Sequence, residues 1–181
     1  MYSFEDVLVP PAEIVLDTSF VVDALITTQP RHEVCLRFLI ESRRAQTTVF
    51  FNRLLEAELW EAAYAVALRK LHPRRRVAEI RLDGRARRRA KRLRAQVEEE
   101  WNAALDALDW NAVEVGEVRP WLPDLTAYGL SSYDAVHAAT AAYVDVRPFV
   151  TLDYHFSFVP QRLLELYVPT NRLRPCRDRR S

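Results

Sequence analysis

Two short apolar runs in this sequence each end directly in an aspartate. The first is the run at 14–16, which ends at Asp17, and the second is the run at 149–152, which ends at Asp153. Continuous apolar runs rich in β-branched and aromatic residues predict strands that are covered on both faces, as in a parallel sheet flanked by helices. Because ligands of such sheets bind beyond the carboxyl ends of the strands, we expect both aspartates in one crevice.

The rest of the chain alternates between strand-like and helix-like patterns. Strands are predicted at 13–17, at 47–51, around Val113 and Val115, at 148–152 and in the final apolar run 163–168. Helices are predicted at 19–26, 31–44, 54–70, 118–128 and 131–144, with one or two more over 74–108 that turn at Asp83 and Gly84. This alternation predicts an α/β fold with a mainly parallel sheet of four to five strands.

Length and composition fit one globular domain. We expect the 181 residues to form a core at about 13–168, a basic helical insertion at about 70–108 and a polar basic tail at 169–181. The chain begins without the pattern of a signal peptide and holds no bilayer-spanning apolar run, so a cytoplasmic protein without membrane contact is expected. Cys35 and Cys176 have no metal-site spacing and predict one core thiol and one tail thiol.

Positive charge is concentrated in one segment. Residues 69–94 hold 13 Lys or Arg against two acids, a net charge of +11, while the whole chain carries +1 and the remainder therefore −10. The basic limb predicts either a helical face that grips RNA phosphates or a helix that docks on the acidic body or on a second copy. The candidate RNA contacts are Arg85, Arg87, Arg88, Arg89, Arg92 and, outside the limb, His155.

Two further acids are predicted to lean inward. Glu58 lies on a helix with Leu54, Leu55 and Ala62 at neighbouring positions of the same face, and Asp134 lies in the first turn of another helix. A buried carboxylate is costly without a counter-charge, and a divalent cation supplies one. Carboxylate oxygens favour Mg²⁺ or Mn²⁺ over zinc.

Each of these groups also has a purely structural interpretation. Asp17 fits a helix N-cap, Asp134 fits a capping box with Ser131, Asp153 fits a turn and Glu58 fits a solvated helix face. Two histidines remain open in the same way, because His137 and His155 fit either a contact to phosphate or carboxylate, or a structural hydrogen bond. The metal hypothesis therefore depends on all four acids meeting in one topology.

Four motifs in order resemble the PIN-domain nucleases, especially the VapC-type toxins of toxin–antitoxin pairs. They are IVLDTSFVVDAL, FFNRLLEAELWEA, YGLSSYDAVHAATA and FVTLDYHF, and together they span residues 14–156. The resemblance implies a three-layer α/β/α sandwich with an acidic pocket that binds Mg²⁺ or Mn²⁺. The chain departs from compact members of the family in its arginine-rich insertion and its basic tail.

The resemblance also implies roles for single residues. Asp17 and Asp153 correspond to direct metal ligands, Asp134 to a direct or water-mediated ligand, and Glu58 to a group that orients water or completes the metal shell. The hydroxyls of Thr18, Ser19 and Thr151 correspond to groups that hold those acids or water. The implied activity is endonucleolytic hydrolysis of RNA, often tRNA or rRNA, to a 5′-phosphate and a 3′-hydroxyl.

Partners and competing functions stay open at this stage. A cognate antitoxin and a homodimer are expected, with helix-borne aromatics such as Phe38, Trp60 and Tyr64 either on that surface or in the core. A PIN-fold RNA-binding or RNA-processing protein with weak or no cleavage, outside any toxin–antitoxin pair, is the main alternative. A DNA nuclease would use the same carboxylates, whereas a haloacid-dehalogenase-like phosphatase needs an aspartate where Ser19 stands.

Overall fold

The computed structural model describes residues 1–74, 76, 80, 83–107 and 109–172. Its strands are β1 (Tyr2–Ser3), β2 (Glu13–Leu16), β3 (Thr48–Asn52), β4 (Asp109–Val113), β5 (Pro148–Val150) and β6 (Glu165–Val168). Its α-helices are α1 (Thr18–Leu25), α2 (His32–Arg44), α3 (Leu54–Leu71), α4 (Gly84–Ala107), α5 (Leu122–Ala127) and α6 (Ser132–Val144). Short 3₁₀ turns cover Arg119–Trp121, Tyr154–Phe158 and Thr170–Arg172.

All six strands form one parallel sheet in the order β1-β6-β5-β2-β3-β4. Strand β2 lies inside the sheet, and its alternate side chains enter two different cores. Ile14 and Leu16 are fully buried against α1 to α4, whereas Val15 is fully buried against α5 and α6. The predicted α/β fold is therefore confirmed as a three-layer α/β/α sandwich, and truncating a core leucine such as Leu16 would cost about 2–5 kcal/mol.

Helices α3 and α4 form a long helical hairpin on the first of these faces. The buried positions of α4 are Ala86, Ala90, Val97 and Trp101, a spacing that follows one side of a helix. Trp101, toward the carboxyl-terminal end of α4, attaches the helix to the sheet. Its ring packs edge-to-face on Phe51 of β3, with centroids 5.3 Å apart. The part of the arginine-rich stretch from Gly84 onward is thereby held as a helix, with its charged positions on other sides.

Two strand predictions were wrong in detail. The sheet has six strands rather than four to five, because Tyr2–Ser3 pairs with β6 as a two-residue edge strand. Strand β4 runs from Asp109 to Val113 and excludes Val115, which is 43% exposed. The cause is Trp110, whose ring packs at 5.0 Å from Trp101 and at 5.8 Å from Phe51 and so draws the earlier residues into the sheet.

Other expectations are settled by burial. Cys35 is a buried free thiol, as predicted, and burial raises its pKa to about 12. Cys176 lies outside the described residues, as does most of the predicted tail. Of the two positions left open for Phe38, the structure shows the core, and Trp60 packs half-buried against the same core. No helix in the described part of the chain is both long enough and apolar enough to cross a bilayer.

Candidate active site

The site lies where the strand order reverses. From β2 the chain proceeds outward through β3 and β4, then crosses back so that β5 pairs with β2 on its other side. A crevice opens at the carboxyl ends of the strands at such a switch point, because the connections leave in opposite directions. Asp17 follows β2 at this point, and its amide donates a hydrogen bond to Val150 O at 3.1 Å.

Asp17 is a buried carboxylate held through one oxygen. Its side chain is at the amino end of α1 and is 4% exposed. Oδ2 accepts hydrogen bonds from Ser19 Oγ at 2.5 Å, Thr151 Oγ1 at 2.7 Å and Ser19 N at 3.3 Å, so Asp17 is also a helix N-cap. Oδ1 accepts none from the described residues. Burial raises the pKa of Asp17, and the hydrogen bonds and His137 only partly offset it.

Thr151 joins the two strand-end aspartates. Its hydroxyl donates to Asp17 and at the same time accepts from the backbone amide of Asp153 at 2.9 Å. Ser19 reinforces the link, since its Oγ accepts from Leu152 N at 3.0 Å while donating to Asp17. Because Thr151 is fully buried, water does not compete for these bonds. The end of β5 and the start of α1 are therefore locked together.

Glu58 reaches the same crevice from α3. That helix begins just after β3, where Asn52 Oδ1 accepts a hydrogen bond from Leu54 N at 3.0 Å. Glu58 Oε2 accepts from Thr18 Oγ1 at 2.5 Å and is paired with His137 Nε2 at 2.6 Å. Burial acts to raise the pKa of Glu58, but the contacts from His137 and Thr18 outweigh it and the net shift is downward. The carboxylate therefore remains charged at neutral pH.

His137 lies behind the acids, on α6. It is 1% exposed, and its Nε2 also lies 3.1 Å from Thr18 Oγ1. Burial acts to lower the pKa of His137, yet the hydrogen bond to Glu58 and the charges of Asp17, Glu58 and Asp134 raise it overall. Its Nδ1 is buried without a hydrogen-bond partner among the described residues. His137 thus lies in the interior, where the charges of three of the four predicted acids act on it and favour its protonated form.

Asp134 is half-buried in the first turn of α6. Its amide donates to Ser131 Oγ at 3.2 Å, but its carboxylate accepts no hydrogen bond from the described residues. The capping box is therefore only half formed, because among the described residues Ser131 N does not donate the reciprocal hydrogen bond to the Asp134 carboxylate. The Asp134 side chain remains available to the crevice, and its charge acts on His137.

Asp153 lies at the rim of the site. Its Oδ1 accepts from His155 N at 2.9 Å and lies 3.0 Å from His155 Nδ1. His155 is an exposed ring that stacks on Phe158, with centroids 6.5 Å apart, and Phe158 itself is 58% exposed. The turn that follows β5 thus presents an imidazole and an exposed phenyl ring beside the acid.

The structure places three of the four predicted acids around His137, whereas the fourth, Asp153, is linked to Asp17 by its backbone amide and not by its carboxylate. Asp17, Glu58 and Asp134 act on the same histidine, and Asp153 joins through Thr151. Within the described ranges, no three His, Cys, Asp or Glu groups are already placed to hold a metal ion. The donor chemistry nevertheless fits Mg²⁺ or Mn²⁺, because carboxylate oxygens predominate and the desolvated Asp17 has a counter-charge to gain.

The predicted RNA-contacting arginines lie elsewhere. Arg85, Arg87, Arg88, Arg89 and Arg92 are exposed on the amino-terminal half of α4, so they belong to the helical hairpin and not to the acid cluster. Their separation means that the protein carries an acidic site and a basic surface on different elements.

No curated protein sequence matches the chain. The family model described as PIN domain matches residues 14–161, which include β2 from its second residue, β3 to β5 and all four acids. With this match over most of its length, the chain belongs to the PIN-domain family, whose members are generally nucleases.

Proposed function

We propose that this protein is a Mg²⁺- or Mn²⁺-dependent endoribonuclease. The observation that carries the proposal is Asp17, a buried carboxylate whose Oδ2 is saturated with hydrogen bonds while Oδ1 accepts none from the described residues. Its raised pKa reflects the cost of holding that charge in the interior. A cation that offsets this charge lowers the cost of burying it, and the neighbouring Glu58 adds to the negative charge that a cation would neutralise.

The four acids would have different roles, which follow from the contacts of each side chain. Asp17 and Asp153, tethered to each other through Thr151, would hold the cation, with Asp134 as a third ligand or a ligand through water. Glu58 has a lowered pKa, so it is suited to orienting a water molecule with Oε1 rather than to removing its proton. When bound, the divalent cation supplies acidification of water and neutralisation of charge on the phosphate oxygens. The products expected are a 5′-phosphate and a 3′-hydroxyl.

The rim of the site offers contacts to the substrate. Phe158 and His155 present aromatic faces on which an unpaired base can stack, and the His155 ring can also donate to a phosphate. The exposed arginines of α4 supply positive charge for the backbone. These features support a single-stranded nucleic acid substrate, and RNA rather than DNA is the substrate that we propose.

A cleavage assay tests the chemistry. Asp17→Asn should abolish Mn²⁺-dependent cleavage of total RNA, with a loss of about a thousandfold or more, as expected for removal of a principal metal ligand. Asp124→Asn is the matched control, since Asp124 is an exposed acid on α5. Substrate choice is read from RNA and DNA oligonucleotides of equal sequence. Cleavage by Asp17→Asn at the wild-type rate, or cleavage in EDTA, would contradict the proposal.

A second readout separates binding of the cation from catalysis. Mg²⁺ or Mn²⁺ should raise the melting temperature of the wild-type protein and of Asp124→Asn but not that of Asp17→Asn. In EDTA, Asp17→Asn should melt at or above the wild-type temperature, because it removes a desolvated charge. A metal-induced shift without cleavage would favour the alternative, an RNA-binding or RNA-processing PIN protein with weak or no activity.

The biological role proposed is that of a VapC-type toxin whose substrate is tRNA or rRNA. Expression of the wild-type chain in a bacterial host should arrest growth, and Asp17→Asn should not. A small DNA-binding antitoxin encoded next to this chain should relieve the arrest, and light scattering should find a homodimer. Growth arrest that is equal for both variants would remove the toxin role while leaving the cleavage assay as a separate question.

A further inference from the structure

The helical hairpin encloses a cavity of about 1,020 Å³ that is separate from the acid cluster. It lies between the carboxyl-terminal half of α3 and the amino-terminal half of α4, and it also reaches Thr28 in the turn after α1. Five cationic side chains line it, from both helices: Lys70, Arg85, Arg88, Arg89 and Arg92. We call this space the cationic cavity.

The positive charge of the cationic cavity is not neutralised within the described residues. None of its five cations lies within ion-pair distance of a carboxylate in this part of the chain. Among the described residues of the lining the single acid is Asp83, whose Oδ1 accepts a hydrogen bond from Ala86 N at the start of α4. Like charges collected around one space repel one another, so an anion that enters it is attracted by all of them.

The walls of the cavity are apolar between the charges. Val66, Ala67 and Leu93 supply this surface, facing the stems of the long side chains. A phosphate ion alone would use the charges and leave the walls empty. A nucleotide uses both, because its base can lie on the apolar wall or on a guanidinium plane while its phosphates meet the cations. Four of the five cations are arginines, whose flat groups suit both contacts.

Helix α3 contributes residues both to the acid cluster and to the cationic cavity. Val66 is eight residues and Lys70 twelve residues beyond Glu58, which places them roughly 12 and 18 Å further along the helix axis. At about 3.4 Å per nucleotide, the strand spacing in a duplex, this distance corresponds to about four or five nucleotides. A strand held at the acids can therefore have a neighbouring segment in the cavity.

From these features we propose that the cationic cavity is a second binding site for the substrate, which takes unpaired nucleotides of RNA about four or five positions from the cleaved bond. This inference rests on the proposed ribonuclease function for the identity of the ligand. An intact duplex does not fit the proposal, because its bases are stacked inside and cannot reach Val66 and Leu93. An acidic peptide would satisfy the cations but has no planar group for the arginine faces, which is why RNA is favoured.

The test uses binding in EDTA, so that it does not depend on cleavage. A labelled single-stranded RNA of about 12 nucleotides is titrated with the full chain, and affinity is read from fluorescence anisotropy. The variant is Arg88→Gln with Arg92→Gln, which removes two charges from the cavity. The matched control is Arg87→Gln with Lys91→Gln, which removes two charges at the same spacing from the same helix but outside the lining.

The proposal expects unequal effects from the two pairs. The cavity pair should weaken single-strand binding at least tenfold and the control pair less than threefold, with unchanged melting temperatures for both. A duplex of the same sequence should bind more weakly than the single strand. A single strand whose central bases are replaced by abasic sites should also bind more weakly than the intact single strand. Equal weakening by both pairs would overturn the proposal, because the basic helix would then act only as an unspecific charged surface.

Two further outcomes would also overturn it. The first is a duplex that binds as tightly as the single strand and is weakened equally by the cavity pair. The second is poly-glutamate that displaces the RNA and binds more tightly, which would identify the cavity as a docking site for an acidic protein segment. Loss of cleavage with normal RNA binding, in contrast, would count against the ribonuclease function and not against this site.

Discussion

The acid cluster and the cationic cavity hold charge in opposite ways. At the acid cluster, Asp17 is buried and its bonds run to hydroxyls that are themselves held by backbone amides. In the cavity, the cations stand on an exposed helix and make no ion pair with the described residues. The acid cluster therefore has its hydrogen bonds in place without a ligand, whereas the charges of the cationic cavity would be paired by a bound ligand.

This difference predicts how each region responds to its surroundings. Charges in the interior are little screened by salt, and their geometry depends on the packing around them. Charges on an exposed helix are screened strongly, and their removal costs little folding free energy. The acid cluster should therefore be sensitive to buried substitutions, and the cavity to ionic strength.

Among the predictions that compare the two regions, a change in salt concentration should produce the largest effect. If each of the five cations meets one phosphate, raising NaCl from about 50 to about 200 mM should weaken binding of single-stranded RNA about 100-fold. The metal-induced rise in melting temperature should change little over the same range, because Asp17 is buried. Anisotropy titrations and thermal melts measure the two quantities. An RNA affinity that does not depend on salt would contradict the proposed difference between the two regions, since it would mean that few phosphates are contacted.

Thr151→Val should lower cleavage about 10–100-fold at limiting Mn²⁺. Valine keeps the shape of threonine but loses the hydroxyl that joins Asp17 to Asp153 N, and groups that orient metal ligands typically contribute this much to affinity or activity. Initial rates over a Mn²⁺ titration measure the effect. Thr151→Ser, which restores the hydroxyl, should recover most of the loss; an equal loss in both variants would indicate that packing and not the hydrogen bonds matters there.

Phe158→Ala should raise the KM for a single-stranded substrate about tenfold with little change in kcat, because one stacked base contributes about 1–3 kcal/mol. The substitution should not affect stability, as this ring is 58% exposed. Leu8→Ala is a control at another exposed apolar residue, 96% exposed, that lies outside the site. Steady-state kinetics on an oligonucleotide separate KM from kcat, and an unchanged KM would exclude a base contact at this ring.

His137→Gln should reduce the free energy of unfolding by about 2 kcal/mol near pH 5.5, which is a typical contribution of a charged hydrogen bond. Arg88→Gln, in the cavity, should change it by less than about 0.5 kcal/mol. Urea denaturation in EDTA measures both. Similar losses in the two variants would erase the contrast between a charge pair in the interior and an unpaired charge at the surface.

The His137 effect should depend on pH in a defined direction. The pKa of His137 is raised above 6.5, so its stabilisation is complete below pH 6.5 and is lost as the pH rises through the folded-state pKa. The pKa of Glu58 is lowered below 4.5, so its stabilisation is complete above pH 4.5 and is lost as the pH falls through its folded-state pKa. The difference between wild type and His137→Gln should therefore be greatest between about pH 4.5 and 6.5.

Much of this architecture was predictable from local pattern. The apolar runs before Asp17 and Asp153 indicated parallel strands, and the rule that the carboxyl ends of parallel strands share an edge indicated one crevice. The helix that carries Glu58 followed from its apolar spacing and from Asn52 before it. These features depend on residues near one another in sequence, so the amino-acid sequence alone is enough to infer them.

Features that depend on distant partners were harder to predict. The two residues of β1 form a strand only because β6 is beside them, and β4 begins early because Trp110 packs on Trp101 and Phe51. The ion pair of His137 with Glu58 joins residues 79 positions apart. Its only local signal was a histidine one turn after Asp134 on an apolar helix, a pattern that also fits a structural histidine.

The bond between Thr151 and Asp17 also determines when the site can exist during synthesis. These residues are 134 positions apart, and β2 lacks its neighbour β5 until the later segment has been made. At about 5–20 residues per second, a ribosome needs about 7–27 s to cover that distance. A nascent chain that already displays Asp17 and Glu58 therefore still lacks the hydroxyl and the neighbouring strand that hold Asp17, so the acid cluster is assembled only after β5 has been synthesised.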